Sequence, residues 1–433
     1  MKITRLQVKG LFGLYNYDID FSCQGEDFTV LTSPNGYGKT TLLRIINSLH
    51  VSRLFYLYVL KYNTLTFWFD DGSHLKAKEL SGEEQGIDET DTRKNKRHGL
   101  SLVWTAGDVD ICRFDYHPDR IQRAKQTVER KVSAIWHYGM ELSENDVELF
   151  TSGELGEMLN MELAQIQKQE QFMLQLATVQ TNFIGANRIY KVTRKERNSR
   201  MRQEQPVLQV VYELKEMLTK RVNEFQNNFQ RLDSKLIDML LMGKGGDISE
   251  EDYNKKANRL TATIEELTSF GLTNKQTLPA YQSENAKVLD VYLALMDEKL
   301  QYYKDFLPLV RLFSKNVAQK HFANKTIKLS PQHGLRIESD NGDILSADML
   351  STGEQNQLVL LYDLIFKTPK GSILLIDEPE SSLHVAWQND FVNDMQTIAR
   401  SKELQIVVAS HSSIIVSNTP ENKVFDLYYL QRG

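Results

Sequence analysis

A mixed α/β domain, assembled from the two ends of the chain around a long helical insertion, is predicted by three observations. Near the start, a compact apolar strand, Phe28-Thr29-Val30-Leu31, runs into a glycine-rich loop and then a helix-patterned segment. Near the other end, Ile373-Leu374-Leu375-Ile376 is a run of four apolar residues closed by two carboxylates, Asp377 and Glu378. Such a run suits a parallel strand buried on both faces. Between them, most of two hundred residues carry helical rather than strand periodicity. A chain of 433 residues is long enough for one large domain with an accessory one.

The elements follow in order. Ile3, Leu6 and Val8, then Tyr15, Tyr17, Ile19 and Phe21, alternate like two strands, with Gly10 and Gly13 in the turn between them. After the 28–31 strand, a helix is expected from Thr40 to about Val51, with Leu42, Leu43, Ile45 and Ile46 on its buried side. Strand-like regions recur at 64–69 and 100–114, and the polar stretch 81–97 between them reads as an exposed loop or edge hairpin. From about Pro118 the period becomes helical. Its clearest piece begins at Pro206 and places Val207, Val211, Leu214, Leu218, Val222, Phe225, Phe229, Leu232, Leu236 and Met239 at steps of three and four, a coiled-coil seam. Gly243, Gly245 and Gly246 end it. The next helix opens with Ser249 as N-cap, Asp252 at N3 and an Ile248–Tyr253 staple. A third is expected over 284–307, kinked or ended by Pro308. Strands return at 325–329 and 335–338, and a last strand is expected over 424–430. Residues 1–117 and 321–433 are therefore read as two halves of one head, and 118–320 as an inserted helical arm with a head strand near 181–190.

Composition narrows the function classes without choosing one. The formal net charge of −5 gives no global reason to expect nucleic acid, although local basic clusters can still matter. Two cysteines, Cys23 and Cys112, are too few for a disulfide framework or a zinc hook and suit a reducing compartment. The N-terminal residues do not read as a signal peptide, and no stretch approaches the ~20 apolar residues needed to cross a bilayer. The expectation is a cytoplasmic protein with no membrane partner.

Three segments carry chemistry. Ser33-Pro34-Asn35-Gly36-Tyr37-Gly38-Lys39-Thr40-Thr41 lies between a strand and a helix, the context a phosphate-binding loop requires. Gly36 and Gly38 let backbone N–H groups close around phosphates, with the dipole of the helix N-terminus behind them. Lys39 is placed to reach the β- and γ-phosphates of ATP, and the Thr40 hydroxyl to ligate Mg²⁺. The strict pattern opens with glycine, and this chain has Ser33 there; an ordinary strand–turn–helix is the alternative. In the second segment Asp377 would complete the Mg²⁺ shell and Glu378 would act as general base on the attacking water. In the third, Leu350-Ser351-Thr352-Gly353-Glu354-Gln355 precedes a leucine-rich helix, one helix ahead of the Asp377 strand. A serine hydroxyl and a glycine N–H at a helix N-terminus make another anion site, or simply a good cap.

The third segment resembles the signature of ABC-type ATPases, and the fold implied is an ABC-ATPase head of the P-loop class with an inserted α-helical arm. In that family the signature of one head closes on the γ-phosphate held by another, so the resemblance implies ATP-dependent head dimers with Ser351, Gly353 and Glu354 facing the partner's nucleotide. It also implies that Glu380-Ser381-Ser382-Leu383-His384 crosses the dimer interface and that His411, in Ser410-His411-Ser412, is the switch histidine. A hydrogen-bonded structural imidazole is the alternative for His411. Phe183-Ile184-Gly185-Ala186-Asn187-Arg188-Ile189 resembles the strand carrying the glutamine loop, with Asn187 as a shorter metal- or water-positioning group and Arg188 as an anchor.

Lys39 and Ser351 lie more than three hundred residues apart, which resembles the SMC, RecF, zinc-hook and OLD-like branch rather than transporter ATPases. The arm has no Cys-x-x-Cys for a zinc hook, and an OLD-type nuclease module is not expected after the strand Ile406-Val407-Val408-Ala409 that leads to His411. ATPase subunits of bacterial anti-phage systems, the AriA family of PARIS first and the PtuA family of Septu next, look most similar. That resemblance implies a homo-oligomer that holds a separate nuclease effector, of Toprim type in PARIS, until a phage trigger arrives. Lys191, Arg194, Lys195, Arg197, Arg200 and Arg202 crowd one stretch and read as a solvated loop or as a docking surface for DNA, RNA or an acidic trigger protein. Arg93, Lys94, Lys96 and Arg97 form a weaker cluster. The rival reading is a DNA-repair or chromosome-maintenance ATPase, and a third is an ATP-clamped scaffold.

Overall fold

The computed structural model of the chain describes residues 1–22, 28–80, 99–136, 153–185, 205–320, 322, 324–383 and 385–431. Cys23, the stretch 81–97, Asn187 and Arg188, the basic stretch 191–202 and His384 lie outside the described residues. Two compact units emerge, Met1–Ala186 with Thr368–Gly433, and Asn187–Lys367. The units thus divide at 186/187 and 367/368, whereas the sequence reading divides the chain at 117/118 and 320/321.

The first unit begins with a hairpin, β1 (Ile3–Leu11) and β2 (Tyr15–Asp20). β3 (Phe28–Thr32) feeds the glycine-rich loop and α1 (Lys39–Asn47), whose Leu42, Leu43, Ile45 and Ile46 are fully buried as the pattern requires. After the short α2 (Phe55–Val59) come β4 (Thr64–Phe69), β5 (Ser73–Glu79), β6 (Leu100–Ala106) and β7 (Val109–Tyr116). These form a six-stranded antiparallel sheet in the order β2-β1-β4-β5-β6-β7. The sequence reading did not pick out β5, although Ser73, Leu75 and Ala77 are buried in alternation with more exposed neighbours, the period-2 signature. Three helices follow, α3 (Pro118–Trp136), α4 (Gly153–Gln167) and α5 (Glu170–Leu176). Their Ile121, Ala124, Leu159, Leu163, Phe172 and Leu176 share one core with Phe69, Trp104 and Phe114 of the sheet. This shared core keeps α3 to α5 with the head. The unit's first stretch closes with β8 (Thr181–Ile184).

The second unit opens with α6 (Pro206–Leu241), a single helix of 36 residues. α7 (Glu250–Ser269) follows, capped by Ser249, whose hydroxyl accepts from the Asp252 N–H at 3.2 Å while Ile248 and Tyr253 are buried beside it. α8 (Ala286–Leu300) ends well before Pro308, and α9 (Leu307–Gln319) begins there with Pro308 in its first turn. The proline starts a helix instead of kinking or ending one, because a first-turn residue needs no N–H for the helix ladder. β9 (Lys325–Ser330), β10 (Gly334–Ser339) and β11 (Ile344–Leu345) make a small antiparallel sheet, and α10 (Thr352–Tyr362), continued by a π-helical turn over Asp363–Lys367, closes the unit. α6 packs against α8, β10 and α10, burying Val207, Val210, Leu214, Leu218, Phe225 and Leu232. Val210 takes the place expected of Val211 because the helix meets several partners, not one parallel seam. The approach to β10 is close. Gly334 has φ of 73°, and a Cβ there would lie 2.0 Å from the Val211 carbonyl oxygen, so no side chain fits. Helix α10 is buried on nearly every side, against α6 and α9, and belongs with this unit for that reason.

The chain returns to the first unit with β12 (Ile373–Asp377), α11 (Val385–Lys402), β13 (Gln405–Ala409), α12 (Ser413–Ser417), β14 (Val424–Asp426) and α13 (Leu427–Leu430). The strand expected over 424–430 is only three residues long. Asp426 accepts from the Tyr428 N–H at 2.9 Å, an N-cap that turns the chain into α13. A second sheet, wholly parallel, has the order β14-β3-β13-β12-β8. The two sheets are tied by Gln405, whose side-chain amide accepts from Ile3 N at 2.9 Å and donates to Ile3 O at 2.6 Å, as a strand partner would. Among the described residues no helix is long and apolar enough to cross a membrane.

Candidate functional site

Three neighbouring strands bring the chemistry to one edge of the parallel sheet. Leu31 of β3, Ala409 of β13 and Asp377 of β12 share one register row, so the residues after them leave the sheet together. Backbone bonds close the row, from Glu378 N to Ala409 O at 2.9 Å and from Ser410 N to Leu31 O at 3.0 Å. Ligands of parallel α/β sheets bind beyond such carboxyl ends.

The loop after β3 has positive φ at Gly36 (89°) and Gly38 (81°). No atom lies within 4 Å of where a Gly36 Cβ would stand, so the space over the loop is open. Exposed Asn35 lies on this loop, and Thr40 and Thr41 sit half-buried in the first turn of α1. Lys39 is buried, and its ammonium donates to Ser33 O at 2.8 Å and to Pro34 O and Ser33 Oγ at 3.3 Å. The serine that departs from the strict loop pattern thus serves the lysine with both its oxygens. Tyr17 braces the loop from β2, donating its hydroxyl to the Tyr37 carbonyl at 2.6 Å.

Across the row, Thr40 Oγ1 donates to Asp377 Oδ1 at 3.1 Å. The next residue, Glu378, adopts the left-handed conformation with φ of 44°, a strained placement for a non-glycine residue of the kind that marks functional positions. His411 stands between the two charged arms. Its Nδ1 is 3.5 Å from Lys39 Nζ and its Nε2 is 3.8 Å from Glu378 Oε1. Nδ1 thus faces the Lys39 ammonium, and Nε2 faces the Glu378 carboxylate. Lys39, Thr40, Asp377, Glu378 and His411, read from separate stretches of sequence, are therefore assembled in one place. Sequence reasoning placed Glu380 in an interface loop and missed that its carboxylate accepts from the main-chain N–H groups of His411 and Ser412. Nothing in a local pattern signals that tertiary contact.

A protein-family model described as an AAA ATPase domain matches residues 1–416. The chain belongs to that family. No curated relative matches it in sequence. Solved structures similar to this ATPase include the Smc head bound to the C-winged helix domain of ScpA, at 12% identity and TM-score 0.38, covering 98% of this chain and 97% of that one. Another is the Smc head domain with an extended coiled coil bound to the C-terminal domain of ScpA from Pyrococcus furiosus, at 13% identity and TM-score 0.37, covering 96% and 91%. The SMC head domain from Thermotoga maritima matches at 10% identity and TM-score 0.32, covering 97% and 92%. Likeness at this level leaves the chemistry to the site itself.

The ATPase holds its charges at a cost. Burial pushes Lys39 below its ordinary value, against the pull of Glu378, Asp377, Glu380 and Asp426. Burial likewise pushes Asp377 up, opposed by the Thr40 hydrogen bond and reinforced by the charge of Glu378. A hydroxyl and a carboxylate are a donor set that suits Mg²⁺, which keeps several waters and takes few protein ligands. Among the described residues no group of three or more His, Cys, Asp and Glu side chains is placed to hold a metal.

Asp377→Asn is accordingly expected to raise the unfolding midpoint of the nucleotide-free ATPase at neutral pH while removing turnover. With the folded pKa raised, the folded state keeps its proton at pH values where the unfolded chain has lost it. The cost of the charge is absent below the unfolded value of about 3.9 and fully present above the folded one. The gain from asparagine must therefore grow as pH rises through the carboxylate range. Urea midpoints taken from pH 4 to pH 8 test this, and a gain that does not depend on pH would refute it.

In the second unit, Ser351 caps α10. Its hydroxyl accepts from Glu354 N at 3.4 Å, and the Glu354 carboxylate accepts in return from Ser351 N at 2.8 Å. Lys325 Nζ adds a bond to Glu354 at 3.1 Å. Burial favours the neutral form of Glu354, but the Ser351 N–H and Lys325 outweigh it and hold the carboxyl below its usual range. Glu354 is thus turned inward to shape the cap, while Ser351 and Thr352 stand exposed and Gly353 is half-buried.

Proposed function

We propose that this ATPase works as a homo-oligomer with composite sites, each ATP lying on the 33–41 loop of one head and facing the Ser351-Thr352-Gly353 segment of another. The observation that carries the reading is the convergence of Lys39, Thr40, Asp377, Glu378 and His411 at the ends of three adjacent parallel strands. In this reading Asn35, Gly36 and Gly38 shape the phosphate cradle and Lys39 counters the β- and γ-phosphates. Thr40 and Asp377 hold Mg²⁺, with Asn187 assisting, and the ion neutralises charge on the phosphates. Glu378 accepts the proton of the attacking water. The Nε2–H of His411 supports the γ-phosphate, and Ser351 with Gly353 caps it from the second head.

Complementation tests the composite site. Lys39→Met and Ser351→Arg are each expected to be inactive alone. Mixed in equal amounts, they rebuild one intact site in each heterodimer, and roughly a quarter of wild-type turnover returns. A mixture as inactive as its components would refute shared sites.

At the cellular level we propose that the ATPase is the sensor and scaffold subunit of a bacterial anti-phage system of the AriA or PtuA kind, holding a separate Toprim-type nuclease until a trigger releases it. The motif resemblance supports this, and the basic stretch 191–202 suits an acidic trigger protein or DNA. Capture of tagged Glu378→Gln protein from its native operon, followed by mass spectrometry, tests the role. A stoichiometric nuclease is the expected result; DNA and repair proteins without one would reassign the ATPase to genome maintenance.

A further inference from the structure

One acidic side chain beside the site has no role in the proposed chemistry, yet it is built into the site. Glu380 lies in the turn just after Glu378, where Ser381 donates its N–H at 3.2 Å and its hydroxyl at 2.9 Å to the Glu378 carbonyl. A single oxygen, Glu380 Oε1, accepts from the main-chain N–H of His411 and from that of Ser412, the latter at 3.1 Å. The other oxygen, Oε2, is buried with no hydrogen-bond partner among the described residues. A carboxylate on two convergent N–H groups makes charge-assisted bonds, roughly twice as strong as neutral ones. Ser412 is held from a second side, its hydroxyl donating to Gln388 Oε1 at 2.7 Å. The backbone of the switch loop is therefore pinned to the turn that carries the general base.

We infer that Glu380 is the positioning residue for His411. Without this staple the main chain at 411 is free to move, and the imidazole loses its place between Lys39 Nζ at 3.5 Å and Glu378 Oε1 at 3.8 Å. The role is to fix the switch, not to bind nucleotide, because both N–H groups that Glu380 engages belong to the protein. The inference rests on the reading of His411 as the γ-phosphate contact.

The test compares Glu380→Ala, Glu380→Gln, His411→Ala and the double variant Glu380→Ala/His411→Ala as full-length proteins, by steady-state ATP hydrolysis and by binding of a fluorescent ATP analogue. Glu380→Ala is expected to lower kcat about 10–100-fold, the cost of misplacing a reacting group by about an ångström. KM and analogue affinity should stay within threefold. Glu380→Gln keeps an amide oxygen that can accept both N–H bonds and should restore most of kcat, which loss of the charge alone would not allow. The double variant should be no slower than His411→Ala, since both changes disable one unit. A Glu380→Ala enzyme within twofold of wild type overturns the proposal, as does a double variant whose losses multiply. If His411→Ala is harmless while Glu380→Ala is not, the effect does not pass through His411. The inference then falls while the ATPase reading stands.

Discussion

Glu378→Gln should bind ATP with wild-type affinity and hydrolyse it about 10²–10⁴-fold more slowly, the range a positioned general base contributes. In the proposed arrangement the phosphate-facing groups are Lys39 and the glycines on the loop after β3, whereas Glu378 lies two strands away at the end of β12. Its backbone turns left-handed there, and its carboxylate lies 3.8 Å from His411 Nε2. Glutamine preserves shape and polarity but cannot take a proton from water. ATP that is bound and not consumed stabilises whatever form binds it best, so the variant should accumulate as an ATP-held dimer, its fraction rising with nucleotide concentration. Single-turnover hydrolysis and sizing with and without ATP provide the measurement. Turnover within tenfold of wild type would remove Glu378 as the base. A monomer at saturating ATP would remove the shared site and leave the base assignment intact.

Much of the head was legible in the sequence because its signals are local. A phosphate-loop pattern is a strand followed within nine residues by two inner glycines, a lysine and a threonine, and the fully apolar runs ending at Asp377 and Ala409 announce strands buried on both faces. Their adjacency was not legible. The order β14-β3-β13-β12-β8 comes from pairings across hundreds of residues, and it alone explains why Lys39, Glu378 and His411 meet. Where local signals competed, the sequence misled. Pro308 reads equally as a stop or a start, and the start won because Phe306 and Leu307 are buried where α9 packs. The heptad rhythm of α6 suggested one partner helix, but α8, β10 and α10 share its apolar face, which selects Val210 over Val211. Glu380 lay in plain view in the 377–380 motif, yet its bonds reach across to the main chain at His411 and Ser412, and no spacing encodes that.

Lys39→Met should lower ATP affinity by about 10²-fold, close to 2.7 kcal/mol, with turnover falling at least as far. One charge-assisted bond is worth about 1.5–3 kcal/mol, and the lysine does more than make one. In the free protein its ammonium gathers the Ser33 and Pro34 carbonyls, so the residue proposed to meet the phosphates also fixes the curve of the loop. Removing it takes a donor from both carbonyls, leaving Pro34 O with only the Ser33 hydroxyl at 3.0 Å among the described residues, and takes from Asp377 and Glu378 a nearby positive charge. Stability should change far less than binding, for a reason of sign. Burial holds the folded pKa of Lys39 below its unfolded value, so at neutral pH the ammonium carries a desolvation cost, and this cost disappears only as pH climbs through that interval toward about 10.4. Methionine keeps the stem, relieves the cost and offsets part of the lost hydrogen bonding. Binding of a fluorescent ATP analogue alongside urea unfolding measures both quantities. Affinity within threefold of wild type would mean that the loop does not cradle phosphate. Lys39→Met combined with Glu378→Gln should then be monomeric at ATP concentrations that fully dimerise Glu378→Gln, because the dimer is held by bound nucleotide and not by the missing base.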